Sequence, residues 1–262
     1  MGFRAAVLIL FLFWCQAAGA APANYCLECH PPHYQEQGSC VACHRGNHQT
    51  RRRELAHSGL IAGRYAGFTN PLAPELHAGK KLAEQSACRR CHTLAKTGNR
   101  LASSLDGLLW NSTPEAIRAT VSTPAVFMPD FHFSAPDLDR LITAILAGGL
   151  QAGKPQKEQP QLVFFATDAK QGHNVFVKQC GSCHKLMSKR DGGLGIGTSA
   201  PNLSGLLSSH YPASFETAKR WDAERLKRWL KNPRAIRPQT QMRPITLKPD
   251  EWQELLRIVT VD

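Results

Sequence analysis

The sequence has almost no cysteine outside its repeated motifs. Of its nine cysteines, eight lie in repeated motifs and the ninth, Cys15, lies in an apolar N-terminal stretch. Once that stretch is removed, no thiol remains outside the motifs. We therefore expect no disulfide, even in an oxidising compartment where disulfides are common.

The N-terminal apolar run, Ala5 to Trp14, lacks the length of a membrane-spanning helix. Arg4 precedes it and small residues, Ala18 to Ala20, follow it, an order typical of a secretory signal. We predict a signal peptide over residues 1–20 and a periplasmic or otherwise exported mature protein. A retained anchor is the alternative, whereas Trp14 is too large for lipoprotein processing at Cys15.

The pattern Cys, two residues, Cys, His occurs four times. Its spacing is typical of a c-type haem attachment site. Two thiols on one side of a helical turn can add to the haem vinyl groups, and the histidine then lies under the iron. A single such pattern also fits zinc or dithiol sites, but four copies with histidine predict four covalently bound haem c groups. The predicted cofactor-binding cysteines are Cys26, Cys29, Cys40, Cys43, Cys88, Cys91, Cys180 and Cys183, and the predicted metal-ligating histidines are His30, His44, His92 and His184.

Acidic residues are scarce relative to basic ones, and the formal net charge is +12. Four haems carry eight propionates, which would offset most of this charge. Arg51 to Arg53 and the basic residues between Lys219 and Arg237 fit a solvated face or a docking patch for an acidic redox partner. We expect no nucleic-acid binding.

The first mature segment, residues 21–70, carries two motifs but few apolar residues. Such a short segment cannot bury an ordinary core, so we expect loops and short helical turns around haem. It contains no methionine, so the distal ligands are predicted to be histidines. We assign His33 to the second haem and His57 to the first, with His48 as the substitute.

Two downstream stretches share one order of features, and the sequence predicts a mostly α-helical protein with two helical domains. We place these domains at residues 74–149 and 162–262, joined by a linker over residues 150–161. In each, a helix leads into the motif, and a methionine near a proline precedes a final amphipathic helix. The final helices are predicted over residues 137–146 and 250–259. Gly192 to Gly197 is interpreted as a flexible loop.

Methionine is the rarest candidate ligand, with four copies. Met1 is the initiator, and Met187 is too close to His184 to reach the opposite face of the same haem. Met128 and Met242 remain, one in each repeat. We predict them as distal ligands, with His132 as a rival in the first repeat.

Each of the two repeats resembles a small monohaem cytochrome c with histidine and methionine ligands. In the second repeat, Ala200 to Gly205 is similar to the family segment whose proline backs the proximal histidine, and Trp229 to Pro233 is similar to its approach to the distal methionine. The first repeat has Ser103 to Gly107 in place of the proline segment, which leaves the hydrogen bond of His92 open. The dihaem segment resembles multihaem cytochromes only in general.

These features predict a tetrahaem c-type cytochrome that carries single electrons between redox partner proteins, such as other cytochromes or a membrane redox complex. Membrane association is expected only through a partner. No catalytic residue is assigned, and we do not expect an enzyme. The alternatives are a haem enzyme reducing a small oxyanion or peroxide at a five-coordinate iron, and a fixed subunit of a larger membrane-associated complex.

Overall fold

The computed structural model describes residues 24–156 and 173–261. The predicted signal peptide and the last five residues of the predicted linker, 157–161, lie outside these residues. The protein is mostly α-helical, as predicted. Within the described part of the chain, no helix has both the length and the apolar character needed to cross a membrane.

The described helices are short, apart from one near the middle of the chain. The α-helices are α1 (Cys40–His44), α2 (Arg53–Ala56), α3 (Pro74–Gln85), α4 (Leu108–Asn111), α5 (Pro114–Ser122), α6 (Ala135–Ala152), α7 (Val175–Gln179), α8 (Ala223–Lys231), α9 (Pro233–Ile236) and α10 (Pro249–Val259). The 3₁₀ helices are Tyr25–Glu28, Gln35–Gln37, Gly63–Thr69 and Cys88–Arg90, and the strands are β1 (Leu186–Ser188) and β2 (Gly192–Leu194).

Helix α6 is the centre of the first helical domain. The Ser134 hydroxyl caps its start by accepting a hydrogen bond from the Asp137 backbone N–H. The predicted apolar stripe is confirmed, because Leu138, Leu141, Ile142 and Ile145 are all buried. The helix continues to Ala152, beyond the start of the predicted linker, and ends at Gly153, whose φ of +82° is easily adopted by glycine.

Residues 61–69 pack as part of this first domain, whereas the sequence predicts the dihaem segment to extend over residues 21–70. Ile61, Tyr65 and Phe68 lie in the same buried cluster as Leu109 and Ile142. The Arg118 guanidinium donates to the Tyr65 hydroxyl at 3.3 Å. The domain core therefore begins before α3, because the 3₁₀ helix from Gly63 packs on α6.

A second buried cluster forms the core of the C-terminal half. Phe176, Leu186, Phe215, Leu230 and Val259 are among its members. The predicted final helix is confirmed as α10.

The interpretation of Gly192 to Gly197 as a flexible loop is wrong for its first half. Gly192–Leu194 forms β2, which pairs antiparallel with β1. The strand lies against the rest of the protein, and each of its three residues is buried. Because neighbouring residues cover both of its faces, a glycine-rich stretch is held as a strand despite its weak local preference.

The segment before this core has a different character. None of residues 24–60 is buried, and the first buried residue that the structure describes is Ile61. A segment of this size without an apolar interior cannot be stable from side-chain packing alone. This agrees with the prediction that another group supplies its interior.

Candidate haem-binding sites

Each motif forms a single helical turn that brings its ligating groups together. In three of the four motifs the histidine backbone N–H donates to the carbonyl of the first cysteine, at 3.0 Å for His30, 3.0 Å for His92 and 2.9 Å for His184. The remaining motif is α1, in which Cys40 to His44 are all helical. One turn therefore places both thiols of a motif and its histidine within reach of one planar group.

Three motif histidines have their rings oriented by a backbone carbonyl. The Nδ1 atoms of His44, His92 and His184 lie 3.0, 2.7 and 2.6 Å from the carbonyl oxygens of Ile61, Ser103 and Pro201 respectively. A carbonyl only accepts, so each Nδ1 carries the proton and Nε2 keeps its lone pair for a metal. Burial also lowers the pKa of His92, which favours the neutral ring.

The missing proline in the first repeat does not remove this bond. Ser103 stands where the second repeat has Pro201, and its carbonyl makes an equivalent contact with His92. The bond uses a main-chain oxygen, so the identity of the side chain at this position is not decisive. The question that the sequence left open is answered by backbone geometry.

Two further histidines face motif histidines in the N-terminal segment. The ring centres of His30 and His57 are 6.1 Å apart, and those of His33 and His44 are 5.7 Å apart. Two imidazoles that bind opposite sides of one metal, each through a bond of about 2 Å, have ring centres about 6 Å apart. The residues therefore fit a bis-histidine iron site in each case, although ligation itself stays a prediction.

The two rival histidines occupy other positions. His132 has a side chain that is 85% exposed, beside Asp130. The backbone carbonyl of His48 accepts from the Tyr25 N–H at 2.9 Å. In the ring contacts of residues 24–60, the partners of the motif histidines are His33 and His57, not His48.

Both predicted methionine ligands lie at the edge of a core. Met128 packs partly buried against the first cluster and Met242 against the second. The indole Nε1–H of Trp229 donates to Met242 Sδ, with the two atoms 2.9 Å apart. The family resemblance placed Trp229 in the segment that approaches the distal methionine, but it did not predict this hydrogen bond. The position of Trp229 shortly before Met242 in the sequence was the signal for it.

The environments of Cys88 and Cys180 disfavour the use of their CxxC pairs as dithiol redox centres. Burial raises the pKa of Cys88 and of Cys180 to about 11, whereas dithiol redox centres need a thiolate with a lowered pKa. A structural zinc ion is usually held by four cysteine or histidine ligands. Among residues 24–156 and 173–261, no group of three or more His, Cys, Asp or Glu side chains is arranged to hold a metal ion.

A cysteine pair and an oriented histidine on one helical turn, placed in helical domains with a methionine beside the core, define covalent attachment sites of the c type. Comparisons of the sequence with known proteins point to the same class. The family model "Cytochrome c" matches residues 169–257, and the model "Cytochrome C oxidase, cbb3-type, subunit III" matches residues 74–143. A relative named "Cytochrome c" from Stellaria longipes is 32% identical over 93 residues, which cover 32% of this chain and 82% of the relative. No significant match to a solved structure was found.

The chain belongs to the cytochrome c family. Covalently bound haem c and a function in haem electron transfer follow from its cytochrome c domains. Neither family model includes the N-terminal segment before residue 74.

Proposed function

We propose that the protein is an exported tetrahaem c-type cytochrome that passes single electrons along four haems between redox partners. The observation that carries this proposal is the pairing of His30 with His57 and of His33 with His44 in a segment outside the matched family models. When bound, each haem supplies a reversible one-electron couple between ferric and ferrous iron. The protein contributes ligation, orientation and spacing.

In the N-terminal segment, the two attachment sites lie side by side. Asn24 bridges them, because its side-chain Nδ2 donates to Cys40 Sγ at 3.7 Å and its Oδ1 accepts from the Cys26 backbone N–H at 3.2 Å. The first cysteines of the two motifs are therefore joined through one side chain, and this supports closely spaced haems. With no buried residue from 24 to 60, these haems would serve as the interior of the segment.

The second site joins directly to the first helical domain. The His44 ring donates to the Ile61 carbonyl, and the Ile61 backbone N–H donates back to the His44 carbonyl at 2.7 Å. The side chain of Ile61 lies in the buried cluster against which Cys88 and Met128 pack. This contact fixes the dihaem segment against the domain that holds the third motif.

The third and fourth sites are also in contact. Arg90, which lies between the two cysteines of the third motif, donates from Nη1 to the Asn202 carbonyl at 3.0 Å, and Asn202 directly follows Pro201, whose carbonyl orients His184. The chain order of the motifs is therefore proposed as the spatial order of the haems. Methionine ligation raises the haem potential relative to bis-histidine ligation, so we propose downhill flow from the N-terminal pair to the two methionine sites.

The proposed partners are other redox proteins, including a membrane redox complex. This rests on the match of residues 74–143 to a model named for a subunit of cbb3-type cytochrome c oxidase. Export is proposed from the residues at the N-terminus, and association with a membrane would come through the partner.

The test is mass spectrometry and optical spectroscopy of the full chain expressed with export and haem-attachment machinery. We expect a mature chain that starts near residue 21 and carries four haem masses. We also expect a methionine-to-iron charge-transfer band in the oxidised protein and no high-spin signal. Fewer than four haem masses would overturn the tetrahaem proposal, and a strong high-spin signal would overturn the assignment of six-coordinate sites.

A further inference from the structure

The loop that carries Met128 is held by the other domain. The Phe127 carbonyl accepts a hydrogen bond from Asn202 Nδ2 at 2.8 Å, and the Val126 carbonyl accepts one from Lys185 Nζ at 3.0 Å. Both donors belong to the C-terminal half. The two carbonyls immediately before the predicted ligand are thus fixed from outside their own domain.

Side-chain packing reinforces these two bonds. The Phe127 ring lies directly over the backbone of Gly193 in β2, so closely that an added Cβ there would overlap the ring. The loop lies between α5 and α6 and has no helical structure of its own. Its local hydrogen bonds include those from the Met128 N–H to the Ala125 carbonyl at 2.8 Å and from the His132 N–H to Asp130 Oδ1 at 2.9 Å. The contacts with the second domain therefore contribute much of the order of this loop.

Asn202 is itself held in place by three other groups. Its Oδ1 accepts from the Ser204 N–H at 2.9 Å, which leaves Nδ2 pointing to Phe127. Its carbonyl accepts from Arg90 Nη1 at 3.0 Å and from the Tyr211 hydroxyl at 3.3 Å. Arg90 lies between the two cysteines of the third motif. Asn202 thus contacts both the attachment turn and the methionine loop of the first domain.

The same asparagine adjoins the fourth site, because it directly follows Pro201, whose carbonyl orients His184. Lys185 likewise directly follows His184. The elements that set the proximal ligand of one site therefore also hold the distal loop of the other. His184 is held by a main-chain carbonyl of this segment, whereas the Met128 loop is held by the side chain of Asn202.

We infer that docking of the second cytochrome domain positions Met128 as a ligand, with Asn202 as the positioning residue. This inference rests on the proposed assignment of Met128. The side-chain amide of Asn202 acts on the ligand only through the Phe127 carbonyl, so its loss weakens methionine ligation at the third site and leaves the Met242 site unchanged. Methionine ligation in one domain then depends on the docked state of the other.

The test uses the full chain and imidazole, which competes with methionine for ferric iron. The variant is Asn202→Asp, which keeps the acceptor for Ser204 but places a carboxylate against the Phe127 carbonyl. The matched control is Asn70→Asp, because Asn70 Oδ1 accepts from the Leu72 N–H in the same type of turn, outside the domain interface. The charge-transfer band of the oxidised protein reports the methionine that remains bound.

In Asn202→Asp, the half of the band that comes from Met128 should disappear at an imidazole concentration at least about fivefold lower than in the unaltered protein. The loss of one hydrogen bond gives a factor of about this size. The control should titrate unchanged. Gly193→Ala, which pushes the Phe127 ring without touching Asn202, should give the same shift. Unchanged titration in Asn202→Asp would overturn the positioning role of Asn202, and unchanged titration in Gly193→Ala as well would overturn the role of domain docking.

A third variant separates this inference from the function on which it rests. Met128→Ala should remove about half of the band from the outset and leave the part that titrates normally. If Met128→Ala leaves the band intact, the ligand assignment fails. If it halves the band while Asn202→Asp changes nothing, only the positioning role fails.

Discussion

The indole of Trp229 donates a hydrogen bond to the sulfur of Met242, with Nε1 and Sδ 2.9 Å apart. Trp229 lies in α8 and belongs to the buried core, whereas Met242 lies in the extended stretch before α10. The bond therefore ties the predicted ligand to a rigid element. It also withdraws electron density from the sulfur that would face the iron.

Replacement of Trp229 by Phe should lower the reduction potential of the fourth haem. Without the donor the sulfur becomes a stronger electron donor and stabilises ferric iron. A difference of about 1 kcal/mol for a hydrogen bond corresponds to about 40 mV for one electron. Trp221→Phe is the control, because Trp221 donates to Ser214 and not to a ligand. A redox titration in which both variants shift one potential equally would contradict the role of the bond.

Replacement of His57 by Ala should open the iron of the first haem. The ring centres of His57 and His30 are 6.1 Å apart, so loss of His57 should produce a high-spin signal from about one of the four proposed haems and binding of carbon monoxide by the reduced protein. Electron paramagnetic resonance of the oxidised protein measures the first effect. His48→Ala is the control and should remain low-spin. The reverse result, with a high-spin signal from His48→Ala alone, would make His48 the ligand.

Replacement of Gly79 by Ala should destabilise the first domain. Gly79 in α3 lies against the Arg140 carbonyl of α6, and an added Cβ would overlap that oxygen. Overpacking of this kind costs about 1–3 kcal/mol, visible as a lower midpoint in thermal unfolding. Lys80→Ala, on the exposed side of the same helix, should leave the midpoint nearly unchanged. Equal midpoints for both variants would show that the two helices can separate without cost.

Stability should fall in mild acid because of His210. Burial, then the nearby charges of Arg89 and Arg220, lowers the pKa of His210 in the folded protein. The unfolded chain, with a histidine pKa of about 6.5, therefore takes up a proton first as the pH falls, and folding loses stability from about that pH downward. Thermal unfolding between about pH 8 and pH 5 should show a weaker pH dependence in His210→Gln. The exposed His132→Gln serves as control, and an equal change in both would exclude His210 as the source.

Local features of the chain were predictable because their causes are local. The four motifs are contiguous in sequence, and helix α6 follows from the spacing of Leu138, Leu141 and Ile142 together with the cap at Ser134. The mostly helical fold and the cytochrome c character of both repeats were confirmed. The strand at Gly192–Leu194 was not predicted, since its residues have little preference for a strand and are held by their neighbours.

The sequence by itself determined how many attachment motifs the chain carries, which cysteines and histidines form them, and which methionines could serve as distal ligands. Only the tertiary structure decided that His57 faces His30 while His33 faces His44, that a serine carbonyl orients His92, and that Asn202 holds the loop before Met128. Motif chemistry depends on residues that are adjacent in the chain, and helix periodicity depends on neighbours one turn apart. Ring pairing and domain docking depend on contacts between distant residues, which are fixed only when the chain is packed.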